Sequence, residues 1–264
     1  FNIPKVNFYK KWFCKFVVRT KEMNLIIDIG NTTTKLAVFQ RDKILVTKVI
    51  PLVSLVTEVE NLLEEFNDIK QGLISSVVFL STDELNKLEN RLPLIILTSN
   101  SKLPFKVHYE TPETLGVDRL SLMAAAATQY SGKNVLVIDA GSCITYDFIS
   151  AQQNYLGGAI APGLKMRYKS LGDFTSKLPS LDKQVPNFFI GNSTHACIHS
   201  GVIYGVLHEI EGVVSEYQNK YPDLTIILTG GDADFLCKQL KISIFANSDF
   251  LLEGLNFLLE LNSN

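Results

Sequence analysis

Leu25-Ile26-Ile27-Asp28-Ile29-Gly30-Asn31-Thr32-Thr33-Thr34 is echoed 111 residues later by Val135-Leu136-Val137-Ile138-Asp139-Ala140-Gly141-Ser142-Cys143-Ile144-Thr145. Each copy reads as an apolar strand, then Asp-x-Gly-[Asn/Ser]-x-x-Thr, then a second strand. An Asp at the end of a buried strand places a carboxylate at the mouth of a cleft. The Gly after it lets phosphate oxygens approach the backbone, and the Asn, Ser and Thr side chains add neutral donors. One such box alone reads as an ordinary hairpin turn built on Asp and Gly. Two boxes at equal positions, this far apart, point to two lobes of like topology facing each other across one nucleotide site, not to a solenoid of short repeats.

Strands and helices alternate outward from these boxes. After the first box come strands over about 35–40 and 44–49, with the polar pair Arg41-Asp42 between them. Leu52, Leu55, Val56, Val59, Leu62, Leu63 and Phe66 give helical spacing with one buried face. A β-rich run covers 73–80. Ser81 or Thr82 can cap a helix through Leu92, and a strand covers 94–97. Residues 99–117, with Pro104, Pro112 and Gly116, read as loop. An alanine-rich helix follows over 118–130. The second box sits between strands over 134–138 and 144–149, with a further strand over 155–160. Helices are expected over 163–172, 192–219 and 250–261, and a strand over 225–228 leads into Thr229-Gly230-Gly231-Asp232 and a helix. The class is therefore α/β, with mixed sheets because hairpins join the strand triplets.

The 264 residues suffice for two modest lobes, and 46% apolar content excludes a disordered chain. A net charge of −2 argues against a dedicated nucleic-acid binder. No apolar run approaches 18 residues, so no membrane span is expected. The four cysteines, Cys14, Cys143, Cys197 and Cys237, form no C-x-x-C pair and read as reduced thiols of a cytoplasmic protein. Residues 1–22 carry six basic side chains against Glu22. They read as an extension ahead of Met23, non-native or disordered, with a basic arm touching a membrane or partner as the sharper alternative. His195 and His199 have zinc-compatible spacing, but no Glu completes an H-E-x-x-H pattern, so plain helix surface is expected.

The paired boxes resemble the signature of the sugar kinase, Hsp70 and actin superfamily, whose adenosine-side turn Thr229-Gly230-Gly231-Asp232 also resembles. The resemblance implies two ribonuclease H-like lobes, with the boundary placed between residues 117 and 118. Four further stretches resemble type III pantothenate kinases. They are Asp28-Ile29-Gly30-Asn31-Thr32; Gly116-Val117-Asp118-Arg119 with Tyr109 and Pro112 upstream; the segment from Gly157 to Gly163; and Gly191-Asn192-Ser193-Thr194 followed by Ser200-Gly201. Ser142-Cys143 stand where that family usually has Thr-Ala; Ser keeps the hydroxyl.

The resemblance implies ATP-dependent phosphorylation of pantothenate, the first step of coenzyme A biosynthesis. Asp118 becomes the candidate general base, although its position alone reads as a helix N-cap. Tyr109, Gly116, Arg119 and Thr194 become pantothenate ligands, Thr194 from a second subunit of a homodimer. For Arg119 the bland alternative is a surface side chain in an exposed salt bridge. Gly30, Asn31, Thr32, Thr33, Lys35, Ser142, Gly230 and Gly231 are expected to hold ATP. Asp28 is expected to hold Mg²⁺ through water, and Asp139 a monovalent cation, potassium or ammonium. Two alternatives remain open: a silent relative acting as a transcriptional accessory protein, and a kinase of another small alcohol.

Overall fold

The computed structural model describes residues 22–263. The extension expected over residues 1–22 lies outside them, apart from Glu22, which is exposed just before the first strand.

Two sheets carry the chain. In the first, β1 (Met23–Ile29), β2 (Thr34–Gln40) and β3 (Lys43–Ile50) form an antiparallel meander. After helix α1 (Leu55–Glu65), β4 (Ile69–Ser76) returns parallel to β1. Helix α2 (Thr82–Glu89) then leads to β5 (Leu94–Ile96), parallel to β4, and the strand order is β3-β2-β1-β4-β5. Ser81 caps α2 in a reciprocal capping box with Glu84.

The second sheet repeats the plan. Short β6 (Lys106–Val107) and helix α3 (Val117–Gln129) precede the meander of β7 (Val135–Ala140), β8 (Cys143–Ile149) and β9 (Asn154–Pro162). Helices α4 (Leu164–Asp173) and α5 (Thr194–Lys220) come next. Then β10 (Thr225–Thr229) lies parallel to β7, and after α6 (Ala233–Cys237), β11 (Phe245–Ala246) lies parallel to β10. The order β9-β8-β7-β10-β11 reproduces β3-β2-β1-β4-β5, with β6 added beside β9. Helix α7 (Phe250–Asn262) ends the chain.

Strands buried on both faces explain the long apolar runs in the sequence. One face of the first sheet, with Leu25, Ile27 and Leu36, packs under Leu55, Val59 and Leu62 of α1. One face of the second, with Leu136, Ile138 and Tyr146, packs under α4 and the Ile198, Val202, Val206 and Ile210 stripe of α5. The opposite faces meet in a shared middle layer. There Ile26, Phe39 and Leu73 of the first sheet and Val137, Tyr155 and Ile227 of the second enclose α3 and α7. The small side chains of Ala124 to Ala127 are all buried, which explains the alanine-rich α3.

Several boundaries differ from the sequence reading; α2, expected through Leu92, ends at Glu89. The run expected as strand over 73–80 pairs over 69–76 instead. The Ser76 side chain bonds the Val78 backbone in a local turn, and the chain leaves the sheet with Phe79 exposed. The loop expected over 99–117 contains β6, whose two residues carry no periodicity to detect.

Candidate active site

The equal placement of β1 and β7 in their sheets puts Asp28 and Asp139 at equal heights, each one residue before its strand ends. Asp28 faces Lys35 across β2, and Asp139 faces Thr145 across β8 and Thr229 across β10. The backbone then turns tightly after each Asp. Gly30 N–H donates to Thr33 O at 3.0 Å, and Gly141 N–H donates to Cys143 O at 2.9 Å.

The two turns face one cleft of about 690 Å³. Its lining holds Asp28, Gly30, Asn31, Thr32, Thr33 and Lys35 from one lobe. Asp139, Ser142, Gly230 and Gly231 come from the other, and Asp118 lies between them. Gly230 sits at φ +93°, and a Cβ there would collide with Asp139 Oδ1 and the Ala140 backbone. Only glycine lets this turn close on Asp139.

Three carboxylates and one ammonium share this space. Burial raises Asp28 to about 6, against the opposing pull of the Lys35 ammonium. Burial first, then the charge of Asp118, raises Asp139 to about 7. Two carboxyl groups held above their ordinary range mark a site short of positive charge, and such a site fits a bound cation. Among the described residues no cluster of three or more His, Cys, Asp or Glu could by itself hold a metal ion.

Asp118 is not the N-cap that its position suggested. Gly116 is the N-cap of α3, and Asp118 lies in the first turn with Oδ1 accepting from Arg119 N–H at 2.8 Å. The carboxylate folds back over Gly116, where a Cβ would collide with it. A carboxylate at this helix end sits in the positive field of the α3 amides.

Arg119 is not an exposed surface residue either. It is buried, and its guanidinium bonds Asp147 Oδ1 through Nε at 2.8 Å and a terminal nitrogen at 2.6 Å. Burial pulls the guanidinium down, but the hydrogen bonds and charge of Asp147 outweigh it and hold it above its ordinary value. The Tyr109 ring lies 5.6 Å from the guanidinium carbon.

Tyr109, Gly116, Arg119 and Thr194 do not line the cleft. Thr194 opens α5 in an exposed position, behind the N-cap Ser193, whose hydroxyl accepts from Ala196 N–H. His199 bonds Tyr168 on the cleft wall at 2.9 Å, and His195 is exposed. The sequence reading missed Asp147, although a lone Asp inside the run from Ile144 to Ile149 was a visible signal. It also missed Leu181, Asp182 and Lys183, which close one wall of the cleft where Lys183 pairs with Asp232. No periodicity or motif marks that loop.

Two matching acidic turns across a cleft between paired sheets of this order are the arrangement that the resemblance to the sugar kinase and actin superfamily implied. Solved structures agree on the fold. A Campylobacter jejuni protein assigned to the Baf family of transcriptional activators matches with a TM-score of 0.61 at 23% identity, covering 91% of this chain and 99% of its own. The ROK hexokinase of Thermus thermophilus matches with a TM-score of 0.52 at 10% identity, covering 92% of this chain and 100% of its own.

The family model for type III pantothenate kinase matches residues 24–216. The type III pantothenate kinase of Christiangramia forsetii is 50% identical over 240 residues, 91% of this chain and 99% of that protein. The chain belongs to the type III pantothenate kinase family.

Proposed function

We propose that this protein transfers the γ-phosphoryl group of ATP to the primary hydroxyl of pantothenate, giving 4′-phosphopantothenate and opening coenzyme A biosynthesis. The observation that carries the reading is the convergence of Asp28, Asp139 and Asp118 on one cleft in a chain of this family. A protein acting only as a transcriptional accessory has no need of three carboxylates gathered in one cleft.

Phosphoryl transfer asks the protein for positioning and charge neutralisation more than for covalent chemistry. The Gly30 and Gly230-Gly231 turns offer backbone amides to the phosphates, and Asn31, Thr32, Thr33 and Ser142 offer side-chain donors. Lys35 adds a positive charge beside them. Asp28 would hold Mg²⁺ through water, and the ion would neutralise phosphate charge. Asp139 would hold a monovalent cation, potassium or ammonium.

Asp118 accepts the proton of the attacking hydroxyl as the new P–O bond forms. Arg119 and Tyr109 hold the pantothenate carboxylate, and Gly116 gives Asp118 its room. Thr194 reaches the acceptor site of a second copy in a homodimer. Its exposure away from its own cleft supports this, as do the exposed Ile160, Phe188, Phe189 and Ile190, which suit a protein interface. The reaction is assigned to the cytoplasm, where ATP and the pathway's next steps are at hand.

The test is ATP-dependent phosphorylation of pantothenate with Mg²⁺, with and without potassium. Turnover that rises with potassium is expected. Absence of turnover in both conditions would defeat the reading.

A further inference from the structure

Asp147 has no role in the reaction just described, yet it is fully buried (0% exposed) and tied to a proposed substrate ligand. Its Oδ1 accepts hydrogen bonds from Arg119 Nε at 2.8 Å and from the Tyr155 hydroxyl at 2.6 Å, and an Arg119 terminal nitrogen forms an ion pair with the same oxygen at 2.6 Å. We propose that Asp147 and Tyr155 form a positioning pair that fixes the Arg119 guanidinium for the carboxylate of the acceptor substrate. The inference rests on the pantothenate reading above and deepens it.

Three features support a positioning role over a structural one. The first is energetic. Burying an ion pair removes two hydration shells, and well-packed apolar residues in its place are often as stable or more so. The second is incomplete satisfaction. Asp147 Oδ2 is buried without a hydrogen-bond partner, while both hydrogen bonds and the ion pair fall on Oδ1. A staple selected for stability would use both oxygens. The third is the arrangement around Arg119. Arginine has five N–H donors, and the two contacts to Asp147 leave others for a second carboxylate.

The same residue also governs the base. The Arg119 backbone amide donates to Asp118 Oδ1, while the Arg119 side chain is anchored on Asp147. Fixing Arg119 therefore fixes the first turn of α3 at both its backbone and its side chain. On the far side, the rings of Tyr109 and Tyr155 lie parallel, 4° apart in plane with centroids 6.3 Å apart, so Tyr155 also backs the ring that faces Arg119. The expected consequence is selectivity: an acceptor carrying a carboxylate is preferred to a neutral analogue with the same reacting hydroxyl.

Asp147→Asn and Tyr155→Phe are the variants, assayed with pantothenate and with pantothenol, which replaces the carboxylate by an alcohol. Asp147→Asn should raise the KM for pantothenate by about tenfold or more, as expected for breaking a buried charged pair. Tyr155→Phe should raise it by about threefold, the scale of one hydrogen bond. In both, the KM for ATP should stay within about twofold, and the kcat/KM preference for pantothenate over pantothenol should shrink. Should Asp147→Asn fail to fold, Tyr155→Phe keeps its buried ring and carries the test. An unchanged pantothenate KM, a parallel rise for both substrates, or a lower pantothenate KM would overturn the inference, the last by making Asp147 a competitor for Arg119. A wild-type protein inactive on pantothenate would remove the functional reading and this inference together. An active wild type with unsplit variants would remove this inference alone.

Discussion

Thr32 Oγ1 lies 3.1 Å from Ser142 Oγ, so the two Asp-x-Gly turns touch each other across the cleft. These residues are 110 positions apart in sequence and belong to different sheets. Without a nucleotide the two hydroxyls satisfy each other; phosphate oxygens entering between them would accept from both. Thr32→Ala and Ser142→Ala are each expected to raise the KM for ATP by roughly fivefold to tenfold, about 1 to 1.5 kcal/mol per hydrogen bond, with little change in the KM for pantothenate. The double variant should cost more than the sum of the singles, because each single also removes the Thr32–Ser142 bond that nucleotide entry must break, which offsets part of its own loss. Steady-state kinetics with each substrate varied in turn is the check. Additive losses would mean that the hydroxyls act independently.

Asp118→Asn tests the base. The change keeps the size of the side chain and its bond to the Arg119 amide while removing the proton acceptor. Loss of general-base assistance predicts a fall in kcat of about 10² to 10⁴ with a small change in either KM. Gly116→Ala approaches the same group from outside. The added methyl collides with Asp118 Oδ1, so the carboxylate must turn away from its present position. Its kcat is expected to fall in the same direction while the melting temperature stays nearly unchanged, since Gly116 is only partly buried. A normal kcat in Gly116→Ala beside a crippled Asp118→Asn would show that the carboxylate can act from more than one rotamer.

How far the sequence revealed this molecule follows from which features repeat and which do not. The pairing of Asp28 with Asp139 was legible because each closes an apolar strand, and strand plus Asp-x-Gly is a local pattern. The lobe plan followed from its duplication. The N-cap of α3 was misread by two residues, since Gly116 caps without a side-chain signal while Asp118 resembles a cap. For Arg119 the sequence offered a substrate-binding role with an exposed salt bridge as the alternative, and its burial had no local signal. What buries it is Asp147 on β8, a partner 28 residues away that becomes its neighbour only when the second sheet packs on α3. Leu181, Asp182 and Lys183 reach the cleft through a loop whose path is set by the Lys183 and Asp232 ion pair, a tertiary contact with no local trace.

Gly230→Ala tests the adenosine-side turn. At φ +93° an alanine is strained, and its methyl would meet Asp139 and the Ala140 backbone at once. The cost is on the order of 1–3 kcal/mol for the backbone conformation, before any displacement of Asp139. For a chain of this size that corresponds to a drop in Tm of roughly 2–4 °C per kcal/mol. The KM for ATP should rise together with the loss of stability. A variant as stable as the wild type would mean that the turn can relax to an ordinary φ.

The last prediction concerns pH. Asp28 and Asp139 sit at about 6 and about 7, against an ordinary 3.8, and in both cases burial is the largest cause. A carboxyl whose folded value is raised binds its proton more tightly in the native state than in the unfolded chain. Its contribution to stability is full below pH 3.8 and is lost as pH rises through 6 and 7. The ligand-free protein should therefore lose stability from these two groups between about pH 4 and pH 8, opposite to the usual trend of salt-bridged carboxylates. Asp139→Asn removes the larger shift and should raise the ligand-free Tm at pH 8 by roughly 10 °C, with less than half that gain at pH 5. Cation binding supplies the missing positive charge, so ATP with Mg²⁺ and potassium should flatten the wild-type profile and leave Asp139→Asn less responsive. Calorimetric melts of both proteins at pH 5 and pH 8, with and without these ligands, decide the matter. An Asp139→Asn protein that melts lower than wild type at pH 8 without ligand would show that the carboxylate, even desolvated, is stabilised in the native cleft by its neighbours, and that Lys35 already satisfies the site.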